Sequence, residues 1–219
     1  MKAVTKDDNF YFLFFALLVL FFGCAVMQQF NPEGQKPFLV LIVATLAVSI
    51  AGINRKRPLY RTWYGLLLIT AAITGGFSLF QDYSLAIVTL SSLLMFLVSH
   101  IYSALKQVMQ AKTITPNHII GSICIYLLMG MAWATTYLLI LEIFPNAFSG
   151  LEALPWLSNL FNALYFSFIT LTTVGYGDIS PTLPISQFFV FLESIVGSFY
   201  LAIMVASLVS IRLSQNSTE

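Results

Sequence analysis

Uncharged apolar runs recur along the whole length of this chain, and they settle what surroundings it can fold in. About 17–25 predominantly apolar residues carry a helix across the hydrocarbon core of a bilayer. Six stretches meet or approach that length: 10–27, 38–53, 63–80, 84–103, 119–144 and 185–213. The second is short and must thin the bilayer or borrow flanking residues. A seventh, 157–171, is too short to span and reads as re-entrant. Non-helical backbone at that depth is tolerated only when buried in protein or facing water. Of the 219 residues, 58% are hydrophobic and 9% charged, whereas a soluble domain carries about a quarter charged residues. The chain therefore reads as an all-α polytopic membrane protein.

The first run is an anchor rather than a cleaved signal. It is longer than a signal h-region, Asp7 and Asp8 precede it, and no A-x-A site follows. Phe22-Gly23-Cys24 departs from a lipoprotein cleavage box at Phe21. Basic residues give the orientation. With the N-terminus inside, Lys2, Lys6, Arg55, Lys56, Arg57, Arg61, Lys106, Lys112 and Arg212 are cytoplasmic, and only Lys36 is external. Both termini are then cytoplasmic, in a multi-pass protein of the cell membrane. The external segments hold Glu33, Asp82, Glu142, Glu152 and Asp178, either to concentrate cations or simply to solvate short loops. The Arg55–Arg57 cluster with Arg61 is explained by orientation, with anionic-lipid binding as the alternative. Cys24 and Cys124 fall in opposite leaflets, beyond disulfide reach, and read as packing residues. Asn216-Ser217-Thr218 is a glycosylation triplet on the wrong side of the membrane to be used.

Four divisions follow. Residues 1–103 form a four-span N-terminal membrane domain, and 104–118 an amphipathic interfacial linker with Leu105, Val108 and Met109 on one face. Pro116 ends that linker. Residues 119–213 form a span, a re-entrant segment and a final span. The remainder, 214–219, is a short cytoplasmic tail with no room for a regulatory domain.

The chemistry lies in Thr172-Thr173-Val174-Gly175-Tyr176-Gly177-Asp178. A pore that strips water from a monovalent cation must offer about eight oxygens in rings of comparable field strength. Backbone carbonyls supply strong dipoles without net charge. An ordinary strand alternates its carbonyls, so turning them all one way needs unusual dihedrals, where glycine is tolerated best. Gly175 and Gly177 alternate with Val174 and Tyr176 to meet that need, and Thr173 adds a carbonyl and a hydroxyl at the inner end. One chain gives one carbonyl per level, so eight oxygens require two levels and four chains. The short helix read over Leu160 to Leu171 would end at the inner end of this segment, its partial negative charge toward a waiting cation.

Thr173-Val174-Gly175-Tyr176-Gly177 is identical to the signature filter of potassium channels, and spans five and six resemble that superfamily over about 95 residues. The resemblance implies an outer helix, pore helix, filter and inner helix behind four transmembrane helices, assembled as a homotetramer. It implies K+ coordination by Thr173, Val174, Gly175 and Tyr176, with Gly177 completing the filter and Thr172 supporting it. Tyr165-Phe166-Ser167-Phe168 resembles the aromatic cuff of the pore helix. Asp178 is similar to the acid after the filter, and Tyr165 stands where an aromatic usually bonds to it. Gly197 aligns with the inner-helix hinge glycine. The chain departs from voltage-gated relatives in lacking a Pro-x-Pro kink. Leu201 stands where strong inward rectifiers carry an acid. Spans one to four contain no Lys or Arg, and a gating charge is worth about 2.3 kcal/mol per 100 mV, so no arginine voltage sensor is expected.

Glu193 is the one acid inside an apolar helix, a placement costing about 2.5–3.5 kcal/mol unless satisfied. It either tunes the filter by carrying a proton or hydrogen-bonds the back of the pore helix. Its place before Gly197 favours a site behind the filter over the cavity. Gly197 itself is a hinge or a close-packing residue. His100 and His118, at the cytoplasmic ends of spans four and five, have no Cys, Asp or Glu at ligand spacing. A transporter would show inverted repeats and broken helices in both halves. A membrane enzyme would need a catalytic set that two peripheral histidines do not make. A subunit serving only assembly would not need the filter. The expectation is a non-enzymatic channel subunit with no cofactor, K+ as permeant ion, and other copies of itself and lipid as partners. Nucleic acid and soluble substrates are not expected, and the gating stimulus stays open.

Overall fold

The computed structural model describes residues 10–30, 83–109 and 115–216, together with Gly65, Ile69 and Ile73 as isolated helical positions. Span two of the sequence reading, and span three apart from those three positions, lie outside the described residues. Within them the elements are α1 (Phe10–Phe30), α2 (Tyr83–Met109), α3 (Pro116–Ile143), β1 (Phe148–Ser149), α4 (Trp156–Leu171), β2 (Ser180–Pro181) and α5 (Pro184–Asn216). The described residues are helical apart from loops and one antiparallel bridge, which pairs Phe148 with Pro181 and Ser149 with Ser180. Among the described residues four helices are long and apolar enough to cross a membrane, and α4 is not one of them.

Proline sets the starts. Its missing N–H costs nothing in a first helical turn, and Pro116 and Pro184 open α3 and α5 while Pro155 immediately precedes α4. At α3 the Thr115 hydroxyl and the His118 Nδ1 lie 2.8 Å apart, and the Thr115 backbone N–H donates to the same ring nitrogen at 3.2 Å. His118 is thus occupied in capping a helix. Pro145 lies just beyond the end of α3, where the chain leaves the helical path.

α3 is the hub, packed against α1, α2, α4 and α5. Cys124, Ile125, Leu128 and Leu138 along it are all but inaccessible. α1 turns Leu13, Leu17, Leu20 and Cys24 inward, a three-to-four-residue spacing that makes one helical face. Its Phe12, Phe15 and Phe22 face outward, toward what would be lipid. The Phe10 N–H donates to Asn117 Oδ1 at 3.0 Å, and the Cys124 thiol meets the Phe10 carbonyl at 3.6 Å. Both cysteines are buried and free.

The linker differs from expectation. Residues 104–109 continue α2 without a break, burying Ala104 and Val108. Residues 115–118 already belong to the cap and first turn of α3. A separate helix over 104–118 is therefore absent at both of its ends, while 110–114 lie outside the described residues. Burial explains the extension: Val108, expected at a membrane surface, packs into the core and keeps α2 going.

Candidate functional site

The C-terminus of α4 and the loop 172–178 that leaves it form the site. α4 ends at Leu171, where the sequence places the end of the short helix, and begins four residues earlier than Leu160, at Trp156. The extra turn is anchored by Asn159, whose side-chain amide donates to the Glu152 carbonyl at 2.7 Å.

The last turn of a helix leaves carbonyls without intrahelical partners. Here the loop returns to satisfy them. Thr172 N–H donates to Phe168 O at 3.0 Å and Thr173 N–H to Thr170 O at 2.9 Å. Val174 and Gly175 N–H both donate to Ile169 O, at 2.8 and 3.1 Å. A trans peptide holds its C=O opposite its N–H, so the carbonyls of Thr172, Thr173 and Val174 project from the face away from α4. The dihedrals agree. φ is positive at Thr173 (61°), Gly175 (56°) and Gly177 (82°), and at neither Val174 nor Tyr176 between them. Alternation of handedness replaces the alternating carbonyls of a strand with peptide units turned to a common side. Every residue from Thr172 to Asp178 is exposed in the single chain.

The run Tyr165–Phe168 fastens α4 in four directions. The Tyr165 ring stacks on Tyr176 with centroids 6.4 Å apart and planes 10° from parallel. Its hydroxyl bonds to Asp178, which holds the phenol above its ordinary range because ionisation would break that bond. Phe166 enters an outer aromatic cluster, 5.1 Å from Tyr137 and 5.8 Å from Phe148. Phe168 meets Phe21 of α1 edge-on at 5.2 Å. On its other side stands Gly130 of α3, where any Cβ would overlap the Phe168 ring. Ser167 faces α5.

Glu193 lies behind α4, fully buried. Its Oε1 is 2.6 Å from Ser167 Oγ and its Oε2 receives the Tyr137 hydroxyl. Ser167 Oγ is also 2.8 Å from the Gly130 carbonyl oxygen. Gly197, one turn on, abuts the end of α4 at Leu171, and α5 runs unbroken through it. Below, the Tyr126 hydroxyl donates to Leu171 O at 3.1 Å, and the Tyr200 hydroxyl to Ser122 O at 2.7 Å. The structure thus brings together Tyr165, Thr172 through Asp178, Glu193 and Gly197. His100 is remote, buried in α2 and stacked on Phe96.

Sequence reasoning missed Tyr137, Gly130 and Tyr126 on α3, and Phe21 on α1. A faint signal existed for two of them. Gly130 and Tyr137 are two helical turns apart, so they share the face that a lone intramembrane acid needs for its partners.

This arrangement offers backbone carbonyl oxygens to a cation from a loop backed by α4. No curated protein and no solved structure matches the chain. Residues 123–212, from the second turn of α3 almost to the end of α5, match a family model described as an ion channel. That stretch contains the whole of the site, and by it the second half of the chain is similar to an ion channel.

Proposed function

We propose that this chain is the subunit of a homotetrameric, potassium-selective channel of the cell membrane, conducting K+ passively down its electrochemical gradient. The observation that carries the reading is the loop 172–178. The N–H groups of Thr172 to Gly175 are spent on α4, the carbonyls of Thr172 to Val174 project from the opposite face, and φ alternates in sign from Thr173 to Gly177. Thr173, Val174, Gly175 and Tyr176 are the K+ ligands in this account, with Gly177 completing the filter and Thr172, Asp178 and Tyr165 supporting it. Four chains give the rings of oxygens that a dehydrated K+ requires. Exposed Val174 and Tyr176, and exposed Phe188, Phe191 and Phe199 along α5, favour a partner surface, because such a surface suits other copies and lipid and not water. No cofactor or soluble substrate is needed for passive conduction. Both termini are cytoplasmic, and the lack of Lys and Arg in spans one to four leaves the pore without an arginine voltage sensor.

Flux from lipid vesicles tests the proposal. Purified protein should release trapped K+ and not Na+, and barium should block it, because barium approaches K+ in size at twice the charge. Equal release of both ions would refute selectivity.

A further inference from the structure

Three oxygen–oxygen contacts meet behind the loop: Ser167 Oγ with Glu193 Oε1, Ser167 Oγ with the Gly130 carbonyl, and the Tyr137 hydroxyl with Glu193 Oε2. Each needs a hydrogen between its oxygens, since facing lone pairs repel. Serine and tyrosine bring one hydrogen apiece. With Glu193 ionised, three contacts share two hydrogens. Tyr137 spends its own on Oε2, and Ser167 then serves Glu193 or Gly130 but not both. A proton on Oε1 closes the count. Glu193 donates to Ser167 Oγ, Ser167 donates onward to the Gly130 carbonyl, and Tyr137 donates to the remaining carboxyl oxygen. A proton on Oε2 instead strands the tyrosine hydrogen and leaves the serine in conflict.

The surroundings agree. From α3 the titratable groups toward Glu193 are Tyr137 and, at longer range, Tyr126. α4 has one ionisable side chain, Tyr165, and it is bonded to Asp178. Tyr200 on α5 is bonded to the Ser122 carbonyl. α1, α3 and α4 contain no Lys or Arg, and Arg212 stands at the far end of α5. His118 caps the opposite end of α3. A buried carboxylate with no cation near it is the costlier form.

We propose that Glu193 is a proton-binding site, its carboxyl held as a neutral acid that completes a relay from α5 through Ser167 to the Gly130 carbonyl of α3. Loss of the proton breaks the relay, because Ser167 turns to the stronger acceptor, the carboxylate, and releases Gly130. Ser167 lies two residues before Ile169, whose carbonyl holds the N–H groups of Val174 and Gly175. The proton is thereby linked to the loop. Its effect on conduction rests on the channel reading, while its existence does not.

Infrared difference spectroscopy on the full chain in lipid membranes reads the proton directly. The carbonyl stretch of a protonated carboxyl should be present at neutral pH, absent from Glu193→Gln, and lost reversibly as pH is raised. In Ser167→Ala the band should shift to higher frequency, because the acid loses its acceptor. Should Glu193→Gln fail to fold, the shift in Ser167→Ala and the titration of the parent chain still decide. A neutral-pH spectrum without such a band, or a band indifferent to Ser167→Ala, overturns the proposal. The band is read without ion flux, so it stands or falls apart from potassium conduction, which flux from the same vesicles measures.

Discussion

Gly197 of α5 lies so close to Leu171 that a Cβ built on it would stand 2.6 Å from the Leu171 carbonyl oxygen and 2.8 Å from its side chain. The same oxygen accepts the Tyr126 hydroxyl. The residue from which the loop departs is therefore gripped from α3 and α5 together. Close packing explains this glycine without a bend. Gly197→Ala should separate α5 from α4 and destabilise the fold by about 1–3 kcal/mol, the usual cost of overpacking. A lowered melting temperature in detergent is the readout, and an unchanged one would mean that α5 has room to spare.

Gly175 and Gly177 have open space where a Cβ would go, so sterics with neighbours do not forbid alanine there. Their backbone does. Left-handed dihedrals cost a residue with a Cβ about 1–2 kcal/mol. Gly175→Ala and Gly177→Ala should lower the melting temperature by only a few degrees while abolishing selective K+ flux. Either variant conducting like the parent would remove these dihedrals from the mechanism.

Tyr165 ties α4 to the outer end of the loop by two separable means, a stack on Tyr176 and a bond to Asp178. Tyr165→Phe keeps the ring and loses the bond, which should loosen the outer end of the loop and shorten openings. Asp178→Asn should do the same. Because the two residues share one bond, the double variant should be no worse than the poorer single one. Additive losses would show that the pair acts independently.

What the sequence disclosed divides along physical lines. Apolar runs carry spans to within a few residues, since the bilayer sets their length: α1, α3 and α5 begin and end near the expected positions. The loop was legible for a different reason. Its glycine spacing encodes dihedrals, which are local, and the positive φ values at Gly175 and Gly177 fall where that spacing puts them. Thr173, with φ of 61°, was not legible, because nothing in threonine announces a left-handed backbone. Contacts between distant segments stayed hidden. Phe21 against Phe168, and Tyr137 against Glu193, depend on how helices rotate about their axes. The weak amphipathicity of helices that are apolar all round leaves that rotation unwritten.

Phe21 gives that hidden contact a measurable weight. It ties α1 to α4 edge-on, on the ring that fills the space beside Gly130. Phe21→Ala should destabilise the fold, at the low end of the roughly 3–5 kcal/mol seen for core phenylalanines because Phe21 is only partly buried. Phe21→Leu should recover most of it. A melting temperature indifferent to both would mean that α1 bears no load on α4.

Voltage is the next check. With no basic residue in spans one to four, opening should vary little with membrane potential, any residual slope arising from ions within the loop. An effective gating charge above about 3 per channel would demand charges that this chain does not have.

The central claim is that the loop 172–178 selects K+ by its carbonyls. The most direct measurement is the reversal potential of the purified chain in a planar bilayer with K+ on one side and Na+ on the other. The account requires the reversal potential to follow the K+ gradient, and to lose that dependence in Gly175→Ala. A reversal potential near zero in the parent chain, with both cations carrying current, would contradict it.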